Sequence, residues 1–235
     1  MATFVLVHGA FQGGWVWKDV ASHLRPLGND VHTPTLSGCG YLTGGLREGL
    51  GLEEYVQEVV EYLRCESLSD VILVAHSYSG MVCGAVAMRV PELLRKTVFV
   101  DAVIPESNRS FAEMSGEMFQ NMLAKQRADN GLIRPWPLPV FGVPEDKGEW
   151  FGARMRAFPE AAFTTPLPGE FDPTQMSGAL ITCTRTKNPF INKMADKARG
   201  LGWPVTALDS DHSPMSSNAQ ELAGLLHQVG AASPA

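Results

Sequence analysis

One stretch dictates more of the fold than any other. Asp70-Val71-Ile72-Leu73-Val74-Ala75 is apolar without a break after its first residue, and His76-Ser77-Tyr78-Ser79-Gly80-Met81 follows at once. An unbroken aliphatic run of this length predicts a strand covered on both faces, the setting of a central strand in a parallel sheet. Small residues come next, then Met81, Val82, Ala85, Val86 and Ala87, which predict a closely packed helix. Ser77 therefore stands where a buried strand turns sharply into a helix. Large side chains two residues to either side would collide as the backbone folds back; Ala75 and Ser79 are small enough to avoid this. A serine in such a bend is held in a strained conformation with its hydroxyl pushed outward. The helix start beneath it offers free N–H groups and positive potential to a developing oxyanion. The bland alternative is that Ser77 is simply a helix N-cap.

The same alternation organises the rest of the chain. Residues 3–7 predict a buried strand, 15–27 a helix closed by Pro26 and Gly28, 30–33 a short strand, and 36–51 a glycine-rich loop. Residues 52–63 predict an amphipathic helix with Leu52, Tyr55, Val56, Val59, Val60 and Leu63 on one face, and 97–104 a further strand. The rhythm breaks over 106–177, which holds 8 of the 16 prolines and many large apolar residues. It resumes with a strand at 179–184, a helix at 190–201, a strand at 204–208 and a helix at 218–229. This order predicts an α/β fold, a mostly parallel sheet flanked by helices. The expected organisation is a single domain over 1–235 with 106–177 inserted as a helical cap. Residues 230–235 are expected to fray.

Composition narrows the function classes. The chain of 235 residues is 45% hydrophobic and 19% charged, so it has the material for a real core. A net charge of −6 argues against a general nucleic-acid binder or a polybasic membrane-surface protein, so neither a nucleic acid nor a membrane is expected as partner. No apolar run approaches the roughly 20 residues that a membrane helix needs. The first residues lack a basic segment and read as a strand, not a leader, so a cytoplasmic protein is expected. Cys39, Cys65, Cys83 and Cys183 show no metal spacing and read as reduced, buried thiols. No nucleotide-binding or zinc-binding motif appears, so no cofactor and no metal are expected.

Two further segments complete the pattern. His8-Gly9-Ala10-Phe11-Gln12-Gly13-Gly14-Trp15 follows the first strand directly. Leu208-Asp209-Ser210-Asp211-His212-Ser213-Pro214-Met215 places a histidine between the last strand and the last helix. Together with the strand–Ser77–helix bend, these segments resemble the α/β-hydrolase superfamily. Within it they resemble the plant methylesterase and hydroxynitrile lyase-like group and related small bacterial esterases. The resemblance implies the α/β-hydrolase fold, with Ser77 in a nucleophile elbow and His212 as general base. It implies the backbone amides of Ala10 and Tyr78 as oxyanion donors, each worth roughly 3–4 kcal/mol in the barrier. Asp211, His212 and Met215 match the family's pattern around its histidine. His76 lies within the elbow and in the family points away from the serine; His8 belongs to the oxyanion loop. His23, His32 and His227 read as solvated or capping. The elbow departs from the family in having Ala75 and Ser79 where glycines are usual.

The third member of the triad is where the chain departs most. In the plant relatives an aspartate follows the strand after the cap, in a Cys-Thr-Glu-Asp-Lys-like stretch. Here that stretch is Cys183-Thr184-Arg185-Thr186-Lys187-Asn188, with Thr186 at the acid's position. Some α/β-hydrolases place the acid after the preceding strand, and Val98-Phe99-Val100-Asp101 ends in one. Asp101 is the expected acid and Glu106 the alternative; Asp209 and Asp211 read as turn residues. The bland role for Asp101 is to brace neighbouring loops.

The lyases of the group have a threonine after the loop histidine and a lysine after the catalytic histidine. This chain has Gly9 and Ser213. The resemblance therefore implies hydrolysis of an ester, thioester or lactone through an acyl-enzyme. Two alternatives stay open: a lyase or cofactor-free acid–base enzyme using the same residues, and a non-catalytic receptor for a small ligand. Phe111, Met114, Met118, Phe119, Leu123, Trp136, Phe141, Trp150, Phe151, Met155, Phe158 and Phe163 are candidates to line an apolar pocket. Any one of them could equally cement the cap to the core. The expected partner is a small hydrophobic or aromatic ester, and a homodimer is compatible with the sequence.

Overall fold

Val71–His76, the run expected at the centre of the sheet, is buried along its whole length between two parallel neighbours. The computed structural model describes residues 1–128 and 130–231. In chain order its core elements begin with β1 (Thr3–Val7), α1 (Lys18–Leu24), β2 (Asp30–His32), α2 (Leu52–Cys65), β3 (Val71–His76), α3 (Ser79–Arg89) and β4 (Leu94–Val100). An insertion follows with α4 (Phe111–Ser115), α5 (Glu117–Gln126), β5 (Leu132–Ile133), α6 (Glu145–Gly152), β6 (Phe158–Pro159) and α7 (Glu160–Thr164). The core then resumes with β7 (Gly178–Cys183), α8 (Pro189–Asn192), α9 (Met194–Gly200), β8 (Val205–Leu208), α10 (Pro214–Ser217) and α11 (Ala219–Ala231).

Six strands form one parallel sheet in the order β2-β1-β3-β4-β7-β8. The chain runs outward from β1 to β2, returns to β3, and then runs outward the other way. Right-handed crossovers put the connecting helices of the two runs on opposite faces. Accordingly α1 packs with α11 and α2 with α3. The expected apolar stripe of α2, from Leu52 to Leu63, is buried as predicted. Between β1 and β3 the connections leave in opposite directions, which opens a crevice at the carboxyl ends of the strands.

Register decides what meets in that crevice. Val7 pairs with Ala75, His76 with Val100, Val100 with Ile181, and Cys183 with Leu208. The strands end nearly level, so the loops beginning at His8, Ser77, Asp101, Thr184 and Asp209 emerge side by side.

Several boundaries differ from expectation, each for a local reason. The strand expected over 97–104 begins at Leu94 and stops at Val100, because Asp101 adopts φ 45°, outside the extended region. The helix expected over 15–27 is α1 flanked by tight 3-10 turns, with Pro26 in the second and Gly28 at φ 80° ending it. The helix expected over 190–201 is two, α8 and α9, parted at Lys193. Gly230 and Ala231, expected to fray, are the last turn of α11; residues 232–235 lie outside the described ones. Cys39, Cys83 and Cys183 are buried, but Cys65 is exposed at the end of α2.

The insertion starts with a capping box. The Ser110 hydroxyl accepts from the Glu113 amide at 3.2 Å, and the Glu113 carboxylate accepts from the Ser110 amide at 2.7 Å. Its aromatic rings close over the β1 loop and the bend after β3. Phe11 lies 5.0 Å from Trp136 and 5.6 Å from Phe158, centroid to centroid, and Tyr78 lies 5.3 Å from Phe163. The buried Tyr78 hydroxyl donates to the Ala162 carbonyl at 2.8 Å, which ties the bend to α7. Among the described residues no helix is long and apolar enough to cross a membrane.

Candidate active site

The bend at Ser77 is built as its sequence requires. Ser77 adopts φ 57°, a left-handed conformation uncommon for a residue with a side chain. Two small residues after the bend serve different ends. Ser79 is fully buried, and its Oγ accepts from the His76 amide at 2.8 Å and lies 3.0 Å from the Val7 carbonyl, to which it donates. The hydroxyl that replaces the family's glycine is therefore folded into the backbone. Gly80 meets a tighter constraint: a Cβ there would lie 1.9 Å from the Val103 carbonyl oxygen. Val103 in turn donates its amide to the Ser77 carbonyl at 3.1 Å.

Ser77, His212 and Asp101 form one hydrogen-bonded chain. Ser77 Oγ lies 2.9 Å from His212 Nε2, and His212 Nδ1 lies 2.7 Å from Asp101 Oδ2. A carboxylate only accepts, so Nδ1 carries the ring proton and Nε2 is left to accept from the serine hydroxyl. The Asp101 side chain is fully buried. Its Oδ1 accepts from the Cys183 amide at 3.0 Å and its Oδ2 also accepts from the Thr186 hydroxyl at 2.5 Å. Each carboxylate oxygen is thus satisfied, as a buried charge requires. The brace role and the partnership with His212 are both present.

The other acids are engaged elsewhere. Glu106 meets Arg109 at 2.6 Å and Lys197 at 3.0 Å, away from His212. Asp209 and Asp211 pair with Arg185 at 2.7 and 3.4 Å. Sequence reasoning placed Thr186 at the vacated acid position but did not foresee that its hydroxyl would reach Asp101.

The spare histidines are structural. His76 is fully buried and its Nε2 donates to the His212 carbonyl at 2.7 Å. It holds the backbone of the residue whose ring faces Ser77. Burial, reinforced by nearby His212, pushes the His76 pKa down to about 3. His8 donates from Nδ1 to the Gly9 carbonyl at 2.8 Å and accepts at Nε2 from the Leu36 amide at 3.1 Å. Burial lowers its pKa to about 4. Both rings stay neutral at ordinary pH.

The loop after β1 completes the crevice. Gly9 abuts the serine, since a Cβ on it would lie 3.2 Å from Ser77 Cβ. Phe11 is fully buried at φ 68°, a strained position facing the same space. The backbone amides of Ala10 and Tyr78 donate to no acceptor among the described residues. Both residues line a cavity of about 630 Å³ together with Ser77 and His212. Seven of the twelve insertion residues named as candidates line it: Phe111, Met114, Met118, Phe119, Trp136, Phe141 and Phe163. Leu123, Trp150, Phe151, Met155 and Phe158 do not; Phe151 packs on Trp15 and Phe158 on Tyr55. Phe11, Met122 and Phe190 line the cavity without having been anticipated. Among the described residues no cluster of His, Cys, Asp and Glu could hold a metal ion.

Comparison with known proteins agrees with this architecture. The carbendazim hydrolyzing esterase of Nocardioides sp. (strain SG-4G) is 33% identical, over 98% of this chain and 100% of its own. Methylesterase 7 of Arabidopsis thaliana is 27% identical over 96% of this chain and 95% of its own. The solved structure of an extracellular alpha/beta-hydrolase from a Paenibacillus species, described as homologous to tobacco salicylic acid binding protein 2, superposes with a TM-score of 0.87. It covers 98% of this chain and 99% of its own at 24% identity. The sequence pattern of the alpha/beta hydrolase family matches residues 4–225, and the chain belongs to that family.

Proposed function

We propose that the chain is a serine hydrolase that cleaves a carboxylic ester of a small hydrophobic or aromatic molecule through an acyl-enzyme. The observation that carries this reading is the placement of His212, 2.9 Å from Ser77 Oγ on one side and 2.7 Å from Asp101 on the other. His212 Nε2 takes the hydroxyl proton as Ser77 Oγ attacks the ester carbonyl. The oxygen that becomes negative is met by the amides of Ala10 and Tyr78, which have no other acceptor among the described residues. As the tetrahedral species collapses, the C–O bond to the alcohol breaks and His212 returns the proton to the leaving oxygen. Water, deprotonated by the same nitrogen, then attacks the acyl-enzyme and releases the acid and Ser77. Asp101 holds the ring and stabilises its charged form throughout.

The relatives support the reaction class, since the Nocardioides and Arabidopsis proteins, each matched over nearly its full length, are named esterases. The substrate class rests on the eight aromatic and three methionine side chains of the cavity lining. Residues 106–177 act in this reading as a cap on a single domain, supplying eight of those eleven side chains. A fluorophosphonate probe tests the proposal. It is expected to add one phosphonyl group to the peptide containing Ser77 and to abolish turnover of 4-nitrophenyl esters, with neither effect in Ser77→Ala. Ester turnover that survives Ser77→Ala overturns it.

A further inference from the structure

Among the polar groups of the cavity that this mechanism leaves unused is the side-chain amide of Gln12. Gln12 is 1% exposed, lines the cavity and belongs to the loop that carries Ala10. Its backbone carbonyl accepts from the Gly40 amide at 3.1 Å, which fixes the residue in place. Its side-chain Oε1 accepts from the Gly9 amide at 3.3 Å. An N–H can only donate, so this contact settles which end of the amide is oxygen. The NH2 end therefore faces away from Gly9. It finds no acceptor among the described residues. Nor is it among the enclosed, unpartnered atoms of the interior, which belong to Trp15, Trp17, Tyr55, His76, Ser115 and Ser213. The open side of the amide is the cavity.

We infer that the Gln12 NH2 binds a second acceptor atom of the substrate, close to the reacting carbonyl, and so selects esters that carry a carbonyl, ether or ring-nitrogen acceptor there. The location follows from the loop. Gly9 abuts Ser77, and the amide is anchored on Gly9. The reacting oxygen is already served by Ala10 and Tyr78, so the acceptor for Gln12 is a different atom, a few bonds away. The surrounding wall is aromatic, with Phe11, Trp136, Phe141 and Phe163. In such a wall an unmet donor penalises any ligand that covers it without an acceptor. A site built to hydrogen-bond one group discriminates against the isostere that lacks it. The inference rests on the serine-hydrolase reading only for where the carbonyl sits.

The test compares 4-nitrophenyl methoxyacetate with 4-nitrophenyl butanoate, which differ by an ether oxygen in place of a methylene. The ratio of their kcat/KM values, divided by the ratio of their hydroxide-catalysed rates, is expected to favour methoxyacetate by about tenfold. Gln12→Met, which keeps the bulk and loses the amide, is expected to bring that ratio to about one. Because the ratio is taken within one protein, a general loss from a disturbed loop cancels. A Gln12→Met variant that slows both esters equally and keeps their ratio overturns the inference and leaves Gln12 as a brace for the β1 loop. The same pair of affinities, measured by calorimetry in Ser77→Ala with and without Gln12→Met, gives the answer without any turnover. Loss of fluorophosphonate labelling concerns the serine reading alone; an unchanged affinity ratio concerns Gln12 alone.

Discussion

Replacing Asp101 by asparagine tests the chain of hydrogen bonds at its least familiar link. The Cys183 amide donates to Oδ1 and can only donate, so the oxygen of the substituted side chain would take that place. Its NH2 would then occupy the place of Oδ2, facing Thr186 and His212. The Thr186 hydroxyl, which donates to Oδ2 at 2.5 Å in the unsubstituted protein, can rotate to accept. His212 Nδ1 cannot remain a donor against an NH2, so its proton moves to Nε2. That nitrogen then points a hydrogen at Ser77 Oγ, 2.9 Å away, and no longer accepts the serine's proton. The loss is that of a base in the wrong tautomer with its counter-charge removed, about 10³- to 10⁴-fold in kcat, or roughly 4–5.5 kcal/mol in the barrier. The assay is the acylation burst and steady-state turnover of a 4-nitrophenyl ester, with near-UV circular dichroism to establish that the fold is retained. Glu106→Gln is the control: it weakens the pairing with Arg109 and Lys197 near the surface and is expected to change turnover by less than about twofold. An Asp101→Asn enzyme that keeps a tenth of its turnover, or a Glu106→Gln enzyme that falls as far, refutes the reasoning.

Two further predictions concern stability. Gly80→Ala puts a Cβ 1.9 Å from a main-chain oxygen that no rotamer can move. It is expected to cost about 3 kcal/mol and to lower Tm by roughly 6–12 °C in a domain of this size. Gly224→Ala, with nothing within 4 Å of its Cβ, is expected to hold or raise Tm, and equal melting of the two variants would refute the clash. The second prediction follows from His8 and His76, held neutral down to pH values of about 4 and about 3. Both folded pKa values lie below the unfolded 6.5, so the unfolded chain binds protons that the folded one does not. Stability therefore falls as pH drops below about 6.5 and goes on falling until the folded groups titrate. Between pH 7 and pH 5 each ring is expected to cost about 2 kcal/mol. Urea unfolding at the two pH values measures the sum, and His8→Gln is expected to remove about half of the difference. A flat profile sinks the prediction.

The sequence spoke most clearly where one physical requirement ruled alone. Burial on both faces made β3 legible, helical periodicity made the α2 stripe legible, and the small side chains of Ala75 and Ser79 marked the bend. Asp101 was harder to read because its position depends on strand register. Only the level ends of β3, β4 and β7 bring it under His212. The strand before it ends earlier than its apolar run for the same reason, since a left-handed turn at an aspartate leaves no mark in hydrophobic pattern. Thr186 and Gln12 were noticed as letters in motifs, but their partners lie across the crevice and no local rule names them. The division of the insertion's aromatic residues into wall and filler was illegible, because both roles demand the same side chains.

Tyr78 does two things at once. Its amide is one of two unengaged donors beside Ser77, while its hydroxyl is moored to the main chain of α7. A mooring line of this kind makes rate and selectivity heritable together. Exchanging 106–177 for the corresponding piece of a relative would alter more than which molecules fit, for a graft that fails to offer a carbonyl where Ala162 now stands would also slacken the bend to which the proposed mechanism assigns the developing charge. One anchoring oxygen is thus the part of the segment that a change of specificity has to leave in place.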